Sequence, residues 1–515
     1  MAAGRGNAAG PARIRLRWPA WLLLLLLPGC VLPAETRRDI RLRASLGEEI
    51  DAAEMDDLLA FAWSRHINRE SMDRGRAVRE GIWLATRNLD PTDLAFDPGW
   101  RAEVVSRAGD APGSAPAAIE RIVARWNAVR PDRVMTFSEA AEQALDCIFH
   151  RLDPHSSFFA RAEWTSLMTS ISGEYSGIGV LVQHADEPVI SEVFEEGPSD
   201  GILRNHDRIV AVDGREVTGM TSEQYLALIR GAAGTSVNLR IRRGSDLLEF
   251  TIVRRQMKAR AVRRTLAGPG RDILVLRLWS YTDGSADQVA EALRKDRKPL
   301  RGVILDLRNN PGGTVDDAVA IVDLFIDRGE VITEQGLAIR TLTADTAGAA
   351  IPANTPLLVL VNRFSASAAE LTAGALRDHG RAIVMGETTF GKGTVQEIYR
   401  FGDRGAKVTV ARFYLPAGRS TQLCGVVPDI AFADSEAARS AAEGDGLFER
   451  EYDNAVPADS LPTSFRRDYD PVPLLARLRG RLGAGGDPDP ELDADDAMLN
   501  EAVRALQREE PVAPR

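Results

Sequence analysis

Pro356-Leu357-Leu358-Val359-Leu360-Val361-Asn362-Arg363-Phe364-Ser365-Ala366-Ser367-Ala368-Ala369-Glu370 is the stretch on which the reading of this chain turns. An uninterrupted apolar run of this length predicts a strand buried on both faces, as in a sheet covered by helices. The small residues after it predict a helix from Ser367 to Leu376. A serine at such a junction stands at the C-terminal end of the strand. The unpaired N–H groups of a helix start can hold a developing oxyanion there. The same serine can equally cap the helix. Ser365 fits the cap and Ser367 the nucleophile, and the residues alone leave these roles interchangeable.

The pattern on either side repeats the strand–helix alternation of an α/β layer. Ile273–Leu278, Gly302–Leu307 and Ala382–Met385 predict strands, and Ala286–Leu293 and Thr314–Ile326 predict helices. Upstream, Gly177-Ile178-Gly179-Val180-Leu181-Val182 opens a small β domain with Val189–Val193, Asp207–Val217, Val237–Ile241 and Leu248–Ile252 as further strand segments. Ser222 is the candidate cap of one helix in it. Residues from about 35 to 165 carry apolar positions at helical spacing, with a Gly-, Ala- and Pro-rich linker from Gly109 to Pro116. After Asp429 the chain is rich in Ala, Asp, Glu, Pro and Gly, which predicts a surface appendage with partial helix and a disordered tail.

The 515 residues suffice for several domains, and 44% hydrophobic with 27% charged residues is ordinary for a globular protein. The net charge of −10 and the lack of a basic run argue against nucleic acid as a partner. At the N-terminus, Arg5, Arg13, Arg15 and Arg17 precede Trp21 and the leucines Leu22–Leu27. That apolar run is shorter than the ~20 residues a spanning helix needs and predicts a secretory signal peptide. Leu27-Pro28-Gly29-Cys30 resembles a bacterial lipobox, so Cys30 is the expected lipidation site and membrane tether. Plain secretion with cleavage after Ala34 is the alternative. The remaining cysteines, Cys147 and Cys424, are read as two buried free thiols.

Lysine is the informative cation. Of 64 Lys and Arg residues only five are lysine: Lys258, Lys295, Lys298, Lys392 and Lys407. Arginine cannot lose its proton in a protein, whereas a buried lysine can, and desolvation lowers its pKa. Lys392 lies between two glycines in Phe390-Gly391-Lys392-Gly393-Thr394-Val395-Gln396, a setting for either a general base or a turn lysine. None of the six histidines suits a Ser–His–Asp arrangement. His379, the one nearest Ser367 in sequence, falls at a predicted helix end before Gly380. No His-Glu-x-x-His or Cys-x-x-Cys spacing suggests a metal. Asn309-Asn310-Pro311-Gly312-Gly313 is a tight turn whose glycine N–H groups suit an oxyanion.

Taken together, the motifs resemble the carboxyl-terminal processing (tail-specific) serine peptidases. The resemblance covers residues from about 140 to 432. It rests on Leu152-Asp153-Pro154-His155-Ser156, Gly177-Ile178-Gly179-Val180, Leu305–Gly313, Ser365-Ala366-Ser367-Ala368, Thr389–Gln396 and Gly425-Val426-Val427-Pro428-Asp429-Ile430, in the family's order. The implied fold class is multidomain α+β. After a leader at 1–29 come a helical N-terminal domain at 30–165, a PDZ domain at 166–256 and a ClpP/crotonase-like α/β protease core at 257–432. An acidic appendage occupies 433–515.

The resemblance makes Ser367 the nucleophile, Lys392 the base and Gln396 the residue that positions the lysine. The N–H groups of Ala368 and of Gly312 or Gly313 become the oxyanion donors. Gly177, Ile178, Gly179 and Val180 are the expected peptide-binding residues, meeting the free C-terminus of a protein or peptide substrate. No cofactor or metal is implied, and the expected location is the periplasm or cell envelope. Two departures stand out. Ala369 replaces a frequent serine, and Asn205-His206-Asp207 replaces a PDZ turn that usually carries glycine. The competing readings are a catalytically silent PDZ adaptor and an acyl-CoA-handling crotonase-type enzyme.

Overall fold

The computed structural model describes residues 49–509 apart from 93, 110, 184–186, 195, 259, 296–297, 345–348, 433–447, 463–470, 482–491 and 494–495. The leader and Cys30 lie outside the described residues.

The strand–serine–helix stretch sits in the middle of a six-stranded sheet. Its order is Val262–Ala267, Ile273–Leu278, Gly302–Asp306, Leu357–Val361, Ile383–Gly386 and Ile430–Ala431. Every neighbouring pair is parallel except the first. Alternate side chains of a strand enter opposite layers. Val303, Leu305, Leu357, Val359 and Val361 join the main core with the helices Val315–Asp323 and Ala368–Asp378. Ile304, Leu358, Leu360, Ile383 and Met385 enter a second core. This two-sided burial is why these strands read as continuous apolar runs.

The helix that closes the second core is Ala497–Leu506, through Met498, Leu499, Ala502, Val503 and Leu506. The expected surface appendage beyond residue 432 is thus in part structural. Its apolar positions recur at helical spacing but are hidden among Asp, Glu and Pro. Arg308, almost fully buried, fastens this helix to the sheet. Its guanidinium donates to Asp306 at 2.9 and 2.7 Å and to Asp496 at 2.7 and 2.6 Å. Burial raises the Asp306 carboxyl, but the Arg308 hydrogen bond and charge outweigh it and hold the group ionised. Arg308→Ala removes four charge-assisted hydrogen bonds and leaves buried Asp306 with Arg277 as its remaining cation, and it is expected to cost about 3 kcal/mol in a chemical denaturation experiment. A loss within about 0.5 kcal/mol, the range of a neutral surface change, contradicts this account.

A second sheet stands against the first and carries Lys392 at its entry. The hairpin Thr394–Phe401/Arg404–Tyr414 pairs onward to Gly329–Gln335 and to the short strand Ser157–Phe159. That last pairing joins the helical N-terminal region to the core. The helices there are well specified. Asp51 with Glu54 and Thr136 with Glu139 form capping boxes. Gly81 allows Arg74–Leu89 and Phe137–Leu152 to touch, since a Cβ there would lie 2.5 Å from Ile148 Cγ1. The helix Arg161–Ser172 crosses the expected boundary at 165/166. It packs Trp164, Leu167 and Ile171 on Phe159 and Ile398.

The small β domain is inserted on an antiparallel ribbon, Glu174–Gly177 with Arg255–Lys258. The predicted strand Gly177–Val182 is therefore split. Glu174–Gly177 belongs to the ribbon and Val180–Gln183 to the domain's own sheet, with Gly179 at φ 74° between them. The helix Ser222–Ile229 is capped by Thr221, paired with Gln224, and not by Ser222. His206 adopts φ 72°, so the turn without glycine forms. Cys147 is buried, which pushes its thiol up to about 12, whereas Cys424 is exposed rather than buried. Neither cysteine forms a disulfide. Among the described residues no helix is long and apolar enough to cross a membrane.

Candidate active site

Ser367 is the last residue before the helix Ala368–Asp378, with φ 56° and ψ −114°. A non-glycine residue in this region is strained and persists only where its surroundings enforce it. The enforcement comes from two neighbouring turns locked together. Ser365 Oγ donates to Leu307 O at 2.8 Å and accepts from Asn362 N at 3.0 Å. Asn309 and Asn362 exchange hydrogen bonds at 2.9 and 2.7 Å, and Ala366 N donates to Asn310 O at 2.9 Å. Ser365 is therefore a turn residue, and the N-cap position belongs to Ser367. Ser367 makes no side-chain capping hydrogen bond.

Gly312 and Gly313 lie directly beneath. A Cβ on Gly312 would stand 2.9 Å from both Ser367 Cβ and Ala368 N, and one on Gly313 would stand 1.8 Å from Tyr281 O. Only glycine fits either place. The two differ in their amides. Gly312 N–H donates to Asn310 Oδ1 at 2.8 Å, while among the described residues neither Gly313 N–H nor Ala368 N–H finds an acceptor.

Lys392 is buried. Its Nζ donates to Gln396 Oε1 at 2.7 Å and to Thr394 O at 3.0 Å. The lysine loop is held on the serine by Glu370, which the sequence reading passed over. This carboxylate is fully buried and accepts four hydrogen bonds. Oε2 takes Ser367 N–H and Lys392 N–H, both at 2.8 Å, and Oε1 takes Thr389 Oγ1 at 2.6 Å and Gly391 N–H at 2.8 Å. One oxygen thus spans the backbones of both candidate residues. Burial pushes Glu370 up to about 7 against the pull of its four donors. The signal for it was the spacing Ser367-x-x-Glu370, a capping box.

Three further buried residues brace the same loop. His155 Nε2 pairs with Glu449 Oε2 at 2.7 Å, and Gln422 bridges Glu449 Oε1 at 2.8 Å to Gly393 N–H at 2.8 Å. Glu449 arrives from beyond residue 432, again from the expected appendage. Burial raises its carboxyl, but the His155 charge and hydrogen bond, with the Gln422 hydrogen bond, outweigh this and leave it lowered. His379 instead ends its helix and bonds Glu330 O at 2.8 Å. Among the described residues no group of His, Cys, Asp and Glu is arranged to hold a metal ion.

In the small β domain, Val180–Gln183 lies at the edge of the sheet and, among the described residues, pairs with Val189–Val193 alone. Ile178 is buried, and its carbonyl accepts from Ser199 Oγ at 2.6 Å. Ile178, Val180 and Val182 share one apolar cluster with Tyr225 and Leu226 of the helix Ser222–Ile229. The structure therefore groups Ser367, Ala368, Gly312, Gly313, Lys392 and Gln396 in one place, and Gly177–Val180 in another domain.

Residues 272–432 match peptidase family S41, and residues 189–243 match the PDZ domain. A carboxy-terminal-processing protease of Bartonella bacilliformis is 32% identical over 388 residues, covering 72% of this chain and 83% of that one. A carboxyl-terminal-processing protease of Synechocystis sp. is 31% identical over 290 residues, covering 54% and 67%. Matches to staphylococcal serine proteases span 60% of those chains. Among solved structures, a photosystem II D1 C-terminal processing protease aligns over 69% of this chain and 92% of its own, at 25% identity and a TM-score of 0.35. The chain belongs to peptidase family S41, the carboxy-terminal-processing serine proteases, and carries a PDZ domain.

Proposed function

We propose that the protein is an exported endopeptidase that cleaves proteins or peptides near their C-termini, with Ser367 as nucleophile and Lys392 as general base. The observation that carries this reading is the Glu370 carboxylate, which binds the backbone amides of both residues and so ties the loop of a buried lysine to a strained serine. Burial favours the neutral form of an amine. Its two hydrogens go to Gln396 Oε1 and Thr394 O, and its lone pair takes the Ser367 proton as Oγ attacks the scissile carbonyl. Lys392 then returns the proton to the leaving amine. Water, deprotonated in the same way, releases the acyl-enzyme. The tetrahedral oxyanion meets the N–H groups of Ala368 and Gly313. Gly313 is preferred over Gly312 because the Gly312 amide already serves Asn310.

Substrate recognition follows from the edge strand. An extended C-terminal segment adds beside Val180–Gln183, its carboxylate meets the backbone at Gly177-Ile178-Gly179, and its last side chain enters the apolar cluster below. The Arg-rich leader and the lipobox-like Leu27–Cys30 support export to the cell envelope with a lipid tether at Cys30.

The test is hydrolysis of paired peptides with free and amidated C-termini, with Ser367→Ala as control. Amidation removes a charge-assisted hydrogen bond and is expected to lower kcat/KM by about tenfold or more. Equal rates for both peptides overturn the recognition proposal. Tight binding without turnover overturns the protease reading for this chain.

A further inference from the structure

A buried run of hydrogen bonds leads away from Gln396 on the side opposite Lys392. Gln396 Nε2 donates to Thr409 Oγ1 at 3.1 Å and to Thr394 Oγ1 at 2.9 Å. Thr409 Oγ1 donates to Asp153 Oδ1 at 2.8 Å. Asp153 Oδ2 meets His66 Nε2 at 2.9 Å and accepts from Ser156 Oγ at 2.5 Å. Gln396, Thr409, Asp153, Ser156 and His66 are all fully buried. The chain thus runs from the N-terminal helices, through the turn at 153–156 and across the hairpin, to the lysine.

We propose that Thr409 and Asp153 are positioning residues that fix the orientation of the Gln396 amide and thereby the Lys392 amine. Donors and acceptors along the run fix the orientation. An ionised carboxylate only accepts. Burial raises Asp153, but the His66 hydrogen bond and charge outweigh it and hold the group well below the usual carboxylate range. Thr409 therefore spends its single hydroxyl hydrogen on Asp153 and can only accept from Gln396. The amide must turn its nitrogen to Thr409, which leaves its oxygen facing Lys392 Nζ. A flipped amide would set a carbonyl against the lone pairs of Thr409 and an N–H against the amine. Gln396 and Thr409 are directly opposed on neighbouring strands, beside the bulge at Val395/Gln396, so the hairpin register builds the contact. The other ionisable groups near this amine are Glu370 beneath the Lys392 amide, and Glu449 with His155 beyond Gln422.

This inference rests on Lys392 being the base, and the experiment separates the two. The purified full chain is assayed on a chromogenic peptide as wild type, Thr409→Val, Thr409→Ser, Gln396→Ala, the Thr409→Val/Gln396→Ala pair and Lys392→Ala. Thr409→Val is expected to lose about 10- to 100-fold in kcat with KM within about twofold, as a misplaced catalytic group does. Its acid limb in the pH–rate profile moves to lower pH, because an N–H turned on the amine disfavours the ammonium. Thr409→Ser returns most of the rate. In the Gln396→Ala background Thr409→Val adds less than about twofold, the non-additivity of residues acting through one another. Wild-type kcat in Thr409→Val, equal losses in the valine and serine variants, or full additivity with Gln396→Ala each overturn the proposal. Thr409→Ala carries the same test if the valine variant does not fold. Activity retained by Lys392→Ala instead overturns the lysine base itself.

Discussion

Ser367→Ala and Lys392→Arg are each expected to leave a folded protein whose peptide hydrolysis falls by about four orders of magnitude or more, the scale on which a catalytic nucleophile–base pair fails when either member is removed. The serine variant is structurally mild. The Ser367 side chain makes no capping bond, and alanine meets the same backbone angles. The arginine variant is the more discriminating of the two. It retains the positive charge and can still donate to Gln396 Oε1 and Thr394 O, so a purely electrostatic or structural role would survive it. A guanidinium does not give up its proton at any accessible pH, so a base would not. Initial rates on a C-terminal peptide, with thermal unfolding to show that each variant is folded, decide the matter. Near-wild-type turnover by Lys392→Arg removes Lys392 as the base.

How far these features were legible in the sequence depends on the distance over which each is specified. The strand Leu357–Val361 and the helix after Ser367 are local patterns, and both lie where the periodicity puts them. Lys392 was visible because lysine is rare in an arginine-rich chain. Glu370 was written in the sequence as a capping box, but its second pair of donors, Thr389 and Gly391, is reached only through the fold. The Asp153–Thr409 contact joins positions 256 residues apart, and nothing local announces it. The segment after 432 reads as an appendage with partial helix, but the place of the helix Ala497–Leu506 in the core is not legible there for another reason. Its apolar stripe is regular, but it sits in a stretch whose acidic composition dominates a coarse reading. The break at Gly179 was hidden because two strands of different sheets abut in one apolar run.

Glu370→Gln is expected to lower kcat by about 100-fold or more and to change the pH dependence of stability. A glutamine offers one oxygen where the carboxylate offers two, so its NH2 must face either Ser367 and Lys392 or Thr389 and Gly391. Two donors then point at a donor, and the serine–lysine geometry loosens. Displacement of this kind is worth about two orders of magnitude in rate. In the folded chain burial raises the Glu370 carboxyl from its ordinary 4.5 to about 7. A raised carboxyl contributes stability that is fully present below pH 4.5 and is lost as pH rises to about 7, a change of about 3 kcal/mol. Activity runs the other way, since four donors are satisfied only by the ionised form. A protonated carboxyl would direct its own hydrogen among them. The raised carboxyl is thus expected to cost stability at neutral pH while it ties the Ser367 and Lys392 backbones together, as strained functional sites do. Urea unfolding of wild type and Glu370→Gln across pH 4.5–7.5 measures this. The stability of the wild type relative to the variant should fall through that window while its turnover rises. A difference that stays constant with pH, or wild-type kcat in the variant, shows that Glu370 does not couple the two loops in this way.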